Sequence, residues 1–171
     1  ATAVLTGAAL FVAAPARARV LMSQKDALSL AFPSAKPERR TAFLTDAQTR
    51  AVEEAAQSKF ESKVWTYYVS GSSAAYFESH LVRTMNETFM VVVGPEATVA
   101  FVEILSFAEP DDYLASKRWL RQFPGRKLDE DLALRRGLRS IAGASLTSEA
   151  VTRAVRRALA VHQVLNAKPA K

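Results

Sequence analysis

Apolar residues near the start of the chain recur at helical spacing. They predict a helix over residues 23–32, which Ser23 would cap and Pro33 would stop, and a second helix over residues 46–58. The stretch between them, residues 33–40, is polar and contains proline, which predicts a connector. The chain is therefore expected to begin with two short helices.

Beyond the second helix the apolar period shortens to two. Runs rich in Val, Ile, Tyr, Phe and Thr predict strands, and the short turns between them are typical of an antiparallel meander. Four strands are expected, at residues 64–69, 75–82, 87–93 and 98–107.

Helical spacing returns after the strands. Pro110 and the two acids that follow it predict a helix that ends at Pro124-Gly125, and residues 128–138 predict a short turn or helix. Ser148 is a good N-cap for a last, long helix. Its apolar face would be formed by Val151, Ala154, Val155, Ala158, Leu159, His162 and Leu165.

The order of elements defines the fold class. Helices, four strands and again helices predict an α+β fold, with an antiparallel sheet of about four strands packed on one side by helices and a long C-terminal helix. The length of 171 residues suits one domain. We expect residues 19–74, with the first helices and strand, and residues 75–171 to form one globular unit.

The N-terminal segment resembles an export signal. Ala3 to Ala14 is an apolar run, and an Ala-x-Ala cleavage pattern follows at Ala16-Arg17-Ala18. We therefore expect residues 1–18 to be the remnant of a signal peptide and the protein to be periplasmic, with membrane association left open.

Charge divides the chain. Residues 1–113 hold 10 Lys or Arg and 13 Asp or Glu, which gives a net charge of −3. Residues 114–171 hold 13 Lys or Arg and 4 Asp or Glu, which gives +9, so the whole chain carries +6. Such a basic part favours an anionic cofactor or partner. A nucleic-acid binder is the other usual explanation, but an export signal argues against a nucleic-acid partner.

Cysteine and histidine limit the possible chemistry. The chain has no cysteine, which excludes disulfides and iron–sulfur clusters held by this chain, and its two histidines lack zinc-site spacing. His162 on an apolar helix face is interpreted as a core histidine. A hydrolytic triad of Ser145, His80 and a carboxylate is a weak alternative, because no GxSxG motif is present.

The stretch from residue 141 to residue 148 is the principal candidate site. Small residues, Gly143 and Ala144, precede three hydroxyls, those of Ser145, Thr147 and Ser148, at the start of the last helix. Helix N-termini attract anions, so an acceptor hydroxyl would lie beside a phosphate site. A polar loop that simply caps the helix is the alternative.

This stretch resembles the flavin attachment motif of the FMN-binding domain family, which includes subunits of Rnf-type and sodium-pumping NADH:quinone reductase complexes. The family pattern is roughly Asp-x-x-Ser/Thr-Gly-Ala-Thr, followed by a hydrophobic residue and Thr/Ser-Ser. Residues 143–148 fit its second half, with Leu146 as the hydrophobic residue. Arg139 and Ala142 stand where the family has Asp and Ser/Thr, and Ser145 replaces the usual Thr.

The resemblance implies a redox carrier. Ser145 would hold FMN through a phosphoester made by a separate flavin transferase, and Gly143, Ala144, Leu146, Thr147 and Ser148 would surround it. Glu109, in Phe107-Ala108-Glu109-Pro110, would be the family's glutamate near the flavin. The partner would be a membrane or periplasmic redox protein. A non-redox binding module for an anionic ligand or protein remains the alternative.

Overall fold

The computed structural model of the protein describes residues 18–59 and 62–167. Within these residues the strands form one antiparallel sheet of six, in the order β1-β6-β5-β4-β3-β2. The α+β class and the long C-terminal helix are confirmed, but the expected number of about four strands was too low. The strands are β1 Arg19–Val20, β2 Glu38–Phe43, β3 Val64–Ser70, β4 Ser73–Leu81, β5 Asn86–Val93 and β6 Val99–Phe107, and the helices are α1 Gln24–Ala31, α2 Asp46–Ala56, α3 Lys117–Leu120 and α4 Ser145–Asn166.

The two additional strands lie at the edges of the sheet. β2 has an almost wholly exposed sequence, Glu-Arg-Arg-Thr-Ala-Phe, without the alternation that marks a half-buried strand. Its extended form comes from pairing, with Arg40 opposite Tyr67. β1 is only two residues long and pairs with the end of β6. The expected connector at residues 33–40 is thus wrong for residues 38–40.

The first two helices begin at the side-chain caps that their sequences favour. The Ser23 hydroxyl accepts a hydrogen bond from the amide of Asp26 at 3.1 Å, as expected. Thr45 and Gln48 form a reciprocal capping box at the start of α2. These caps satisfy backbone amides that have no partner inside the helix.

Helix α4 occupies the centre of the molecule. Its predicted apolar face is confirmed, since Val151, Ala154, Val155, Ala158 and Leu159 are all buried. That face packs on the sheet, and α2 packs against α4. The expectation of helices on one side only is wrong, because Ala27 and Phe32 of the α1 region cover the other face of the sheet, over Ala75, Met90, Val92 and Leu105.

The single helix expected after Pro110 is replaced by two shorter pieces. A 3-10 turn spans Asp111–Tyr113, and α3 begins afterwards because the Ser116 hydroxyl accepts from the amide of Trp119 at 3.2 Å. Turns then connect α3 to α4. This irregular segment forms the surroundings of the start of α4.

The predicted signal-peptide remnant lies outside the described residues except for Ala18, so it stays a prediction. Among the described residues, no helix has the length and apolar character needed to cross a membrane.

Candidate functional site

Helix α4 begins four residues earlier than its sequence predicts, with its N-cap at Ala144 instead of Ser148. The helix starts at Ser145, and Ala144 occupies the N-cap position without any side-chain hydrogen bond to the first turn. The prediction that Ser148 is the cap is therefore wrong. Its hydroxyl instead accepts from the amide of Ile141 at 2.8 Å and donates to the carbonyl of Ala144 at 3.1 Å. Ser148 thus fixes the loop to the helix from within the first turn.

Gly143 shapes the loop before the helix. Its φ angle is +78°, a left-handed conformation that a residue with a side chain adopts only with strain. A Cβ atom at this position would meet no atom within 4 Å. Backbone conformation is therefore what requires glycine, and the space beside Gly143 is open to a ligand.

The three hydroxyls of the motif differ in their surroundings. The Thr147 side chain is buried and donates to the carbonyl of Tyr113 at 2.8 Å, and Ser148 is buried in the contacts just described. Ser145 is exposed, and its hydroxyl forms no hydrogen bond within the described residues. Leu146 is 47% exposed, so it does not close this side of the helix.

The backbone at this end of α4 has a positive electrostatic character. The first helical hydrogen bond runs from Ser148 to Ala144, which leaves the amides of Ser145, Leu146 and Thr147 ahead of it. No acidic side chain lies in the first turn. The macrodipole of a helix of 22 residues adds to the partial charge of these amides. The site can therefore bind an anion such as a phosphate group.

Glu109 lies at the same end of the sheet but is already engaged. Its Oε1 accepts from the amides of Thr84 at 2.7 Å and Met85 at 3.0 Å in the turn between β4 and β5. These hydrogen bonds, chiefly the one from the Thr84 amide, lower the pKa of the Glu109 carboxyl. Glu109 therefore stabilises the β4–β5 turn. Its predicted place near a flavin stays a prediction.

The β4–β5 turn is linked to the start of α4 through Tyr113. The guanidinium carbon of Arg83 lies 4.7 Å from the centre of the Tyr113 ring, a cation–π contact, and the Tyr113 carbonyl accepts from Thr147. Tyr113 is half-buried. The sequence did not indicate Arg83, because a contact between a turn and a 3-10 segment 30 residues later leaves no local pattern.

Two arginines of α4 have a role that sequence reasoning missed. Arginines on a helix usually face solvent or a partner, but Arg156 and Arg157 are buried. Arg156 donates to four backbone carbonyls, those of Ala55, Ala56, Asp129 and Leu132. It thereby satisfies the C-terminal end of α2 and connects it to the loop before α4.

Arg157 forms a buried ion pair with Glu78 of β4. The two side chains are 9% and 14% exposed, and Arg157 also donates to the Ser58 hydroxyl. Burial raises the pKa of the Glu78 carboxyl, although the Arg157 guanidinium acts in the opposite direction. The charges of Arg156 and Arg157 are therefore internal to the fold, whereas that of Arg153 lies at the surface.

The histidines occupy different surroundings. His162 accepts or donates one hydrogen bond with the Tyr76 hydroxyl at 2.9 Å, and burial lowers its pKa, so the core interpretation is confirmed. His80 Nε2 lies 3.3 Å from Oε2 of Glu87, which is completely buried. Neither nitrogen of His80 has a hydrogen-bond partner among the described residues, Ser145 included. The triad alternative has no geometric support.

Comparison with known proteins adds one match. The family model of the FMN-binding domain matches residues 86–160, which run from the first residue of β5 into the second half of α4. Neither the curated proteins nor the solved structures contain a match to the chain. The matched segment includes Glu109 and the whole stretch from residue 143 to residue 148. Over residues 86–160 the chain is therefore similar to the FMN-binding domain family, which indicates flavin binding and electron transfer in general.

Proposed function

We propose that this protein is an exported electron carrier whose FMN is joined to Ser145 by a phosphoester bond. One observation carries the choice of residue. Of the three hydroxyls at residues 145–148, those of Thr147 and Ser148 are buried and hydrogen-bonded, whereas that of Ser145 is exposed and uncommitted. A transferase acting from outside could therefore reach Ser145 without unfolding the helix.

The residues around Ser145 suit the phosphate group of FMN. The amides of the first turn lack a side-chain cap, so they are available to phosphate oxygens, and the open space beside Gly143 leaves room for them. Thr147 and Ser148 hold this turn in place through Tyr113 and Ile141. Bound FMN would supply one- or two-electron transfer. The chain itself supplies attachment, orientation and a positive surrounding.

Attachment requires a second protein. The Ser145 oxygen would bond to the FMN phosphorus of FAD, the phosphoanhydride bond would break, and AMP would leave. The serine proton needs a base, but the Ser145 hydroxyl has no hydrogen-bond partner among the described residues. A magnesium-dependent flavin transferase, as the family resemblance implies, would provide both the base and the metal. Arg139 and Ala142 are the two positions at which that enzyme would meet an altered motif.

Export gives a reason for the covalent bond. A protein outside the cytoplasm cannot replace a lost cofactor from the cytoplasmic pool, so a tether preserves its function. The partner in this proposal is a membrane or periplasmic redox protein. The alternative is a non-redox module, in which the same free amides bind an anionic ligand or protein without any bond to Ser145.

The test is attachment of flavin. The protein would be co-expressed with a flavin transferase in an exporting host, and intact mass and in-gel flavin fluorescence would be measured. Wild type and Ser145→Thr, which keeps a hydroxyl, are expected to carry one FMN per chain. Ser145→Ala is expected to carry none.

Two results would contradict the proposal. Flavin on Ser145→Ala would move the attachment site, with Thr147 and Ser148 as the next residues to replace. No flavin on any variant, beside a control substrate that the transferase modifies, would favour the non-redox module. N-terminal sequencing of the exported protein tests the cleavage expected after Ala18.

A further inference from the structure

Three exposed arginines lie in the segment before α4, and two of them line a surface pocket near the start of that helix. Arg118 and Arg139 line this pocket of about 360 Å³, together with Trp119, Gln122 and Ile141. Arg121, the C-cap residue of α3, lines a neighbouring pocket with Lys117 and Leu120. All three arginines are exposed. We call Arg118, Arg121 and Arg139 the arginine cluster.

The charges of the arginine cluster are not used within the protein. Among the described residues, four other cations of this part of the chain form ion pairs: Lys117 with Glu103, Lys127 with Glu96, Arg136 with Glu130 and Arg153 with Glu149. No ion pair of the described residues involves a side chain of the cluster. Their positive charge is therefore available to a partner.

The backbone that presents Arg139 is fixed. Its carbonyl accepts from the Trp119 indole at 2.6 Å, and its amide donates to the Gln122 side chain at 2.8 Å. Trp119 is itself buried and packs against Phe123. A fixed backbone at Arg139 reduces the conformational entropy that this segment loses when a partner binds.

The pocket adjoins the proposed flavin site. Ile141, at one side of the pocket, donates its amide to Ser148 and accepts at its carbonyl from Ala144. Only three residues then separate Ile141 from Ser145. A protein bound at the arginine cluster would therefore lie next to the point of flavin attachment.

We propose that the arginine cluster is a docking surface for a redox protein with an acidic face, which exchanges electrons with the flavin. This proposal rests on the proposed function. In this proposal the partner carries a one-electron iron centre, one electron passes between that centre and the flavin, and any proton that the flavin gains or loses is exchanged with solvent. Arginines also suit carboxylates geometrically, because the guanidinium donates two parallel hydrogen bonds.

Other anionic partners fit the surface less well. A membrane surface would favour exposed apolar side chains among the cations, but the large exposed apolar residues of the described part include none from residues 110–141. A nucleic acid is an extended polyanion, which a longer basic stripe would bind better than three charges. A small acidic patch on a protein would complement three positive charges.

The experiment reverses the charges and measures electron transfer. The variant Arg118→Glu/Arg121→Glu/Arg139→Glu is compared with Lys25→Glu/Lys36→Glu/Arg39→Glu, which changes the net charge equally at exposed positions outside the cluster. In the flavin-loaded proteins, stopped-flow absorbance follows reduction of the flavin by a reduced acidic [2Fe–2S] ferredoxin at low ionic strength. A basic ferric cytochrome c, reduced by the reduced flavoprotein, is the probe of opposite charge.

We expect the cluster variant to react with ferredoxin at least about tenfold more slowly than wild type, because steering by charge is lost, and the control variant to stay within about threefold. Added salt should slow wild type but not the cluster variant. With cytochrome c the cluster variant should be the faster of the two variants. Equal rates for both variants with ferredoxin would overturn the proposal, as would salt-dependent binding of DNA or anionic vesicles that the cluster variant alone loses.

Attachment is measured separately, by intact mass. Reduced FMN incorporation in the cluster variant alone would mean that these arginines serve the flavin or its transferase, and the docking proposal would fail. If no protein carries FMN, the proposed function fails. Docking is then tested by NMR titration of the ¹⁵N-labelled Ser145→Ala protein with ferredoxin, where chemical shift changes are expected around Arg118 and Arg139, and their absence would overturn the docking proposal.

Discussion

The first turn and the middle of α4 treat polar groups in opposite ways. In the middle, Arg156 and Arg157 are buried, and their guanidinium groups donate to residues outside α4. In the first turn, the Ser145 hydroxyl is exposed and the N-cap has no side-chain hydrogen bond. Since α4 is one continuous helix, the difference comes from what surrounds each part of it and not from a break in the helix. The middle fixes the fold, and the first turn retains binding capacity for a ligand.

The largest effect should come from breaking the buried ion pair. Arg157→Ala leaves Glu78 without its cation in a site with little solvent, which is expected to cost about 3–5 kcal/mol of the free energy of unfolding. Urea denaturation measures the cost. The double variant Glu78→Leu/Arg157→Leu should recover most of it, because no unpaired charge remains. A loss below about 1 kcal/mol would mean that this pair resembles a surface salt bridge.

The stability of the Arg157→Ala variant should also depend on pH. Burial already raises the pKa of Glu78, and removal of Arg157 takes away the group that opposes the rise. A raised pKa means that the folded state holds the proton more tightly than the unfolded state. The destabilisation by Arg157→Ala should therefore grow as pH rises through that pKa, and denaturation at several pH values would show it.

An intermediate effect is expected within the first turn. Ser148→Ala removes the acceptor of the Ile141 amide, and an unsatisfied buried donor costs about 1–3 kcal/mol. Ser145→Ala is the matched control, because a surface substitution without partners stays within about 0.5 kcal/mol. Thermal unfolding of the flavin-free proteins measures both. Equal losses would show that the two serines are not distinguished in the way the structure indicates.

The smallest effect should come from His162 near the far end of α4. Burial lowers its pKa from the ordinary value of 6.5, so the unfolded chain binds a proton that the folded chain does not. Stability should therefore fall as pH decreases below 6.5. His162→Gln cannot be protonated in this range and should show a shallower decrease in denaturation experiments. An unchanged slope would assign the pH dependence to other groups.

Sequence alone was most successful where local chemistry determines structure. The central strands follow from runs of β-branched and aromatic residues. The cap at Ser23 follows from its hydroxyl group, and the apolar face of α4 follows from helical periodicity. The strand β2 was missed because its form depends on pairing with β3. The start of α4 was misplaced because the Ser148 hydroxyl bonds to the Ile141 amide outside the helix, a choice that the favoured residue types for caps do not reveal.

The functional site shows the same division. The motif at residues 143–148 could be found from residue types, and the family match now covers it. Which of its hydroxyls is free depends on Tyr113 and Ile141, which only the fold brings to Thr147 and Ser148. The burial of Arg156 and Arg157 could not be predicted either, because the periodicity of α4 does not indicate that the end of α2 packs against it.

The four carbonyl contacts of Arg156 have a consequence for electron transfer. They connect α4 to the end of α2 and to the loop at residues 129–132, so the helix can neither slide along the sheet nor rotate without breaking several of them. The proposed point of attachment at Ser145 is therefore part of a helix that is held to the rest of the protein at its middle. In a carrier of this kind, the length of the electron path would be set by the architecture of the protein instead of by diffusion of the cofactor.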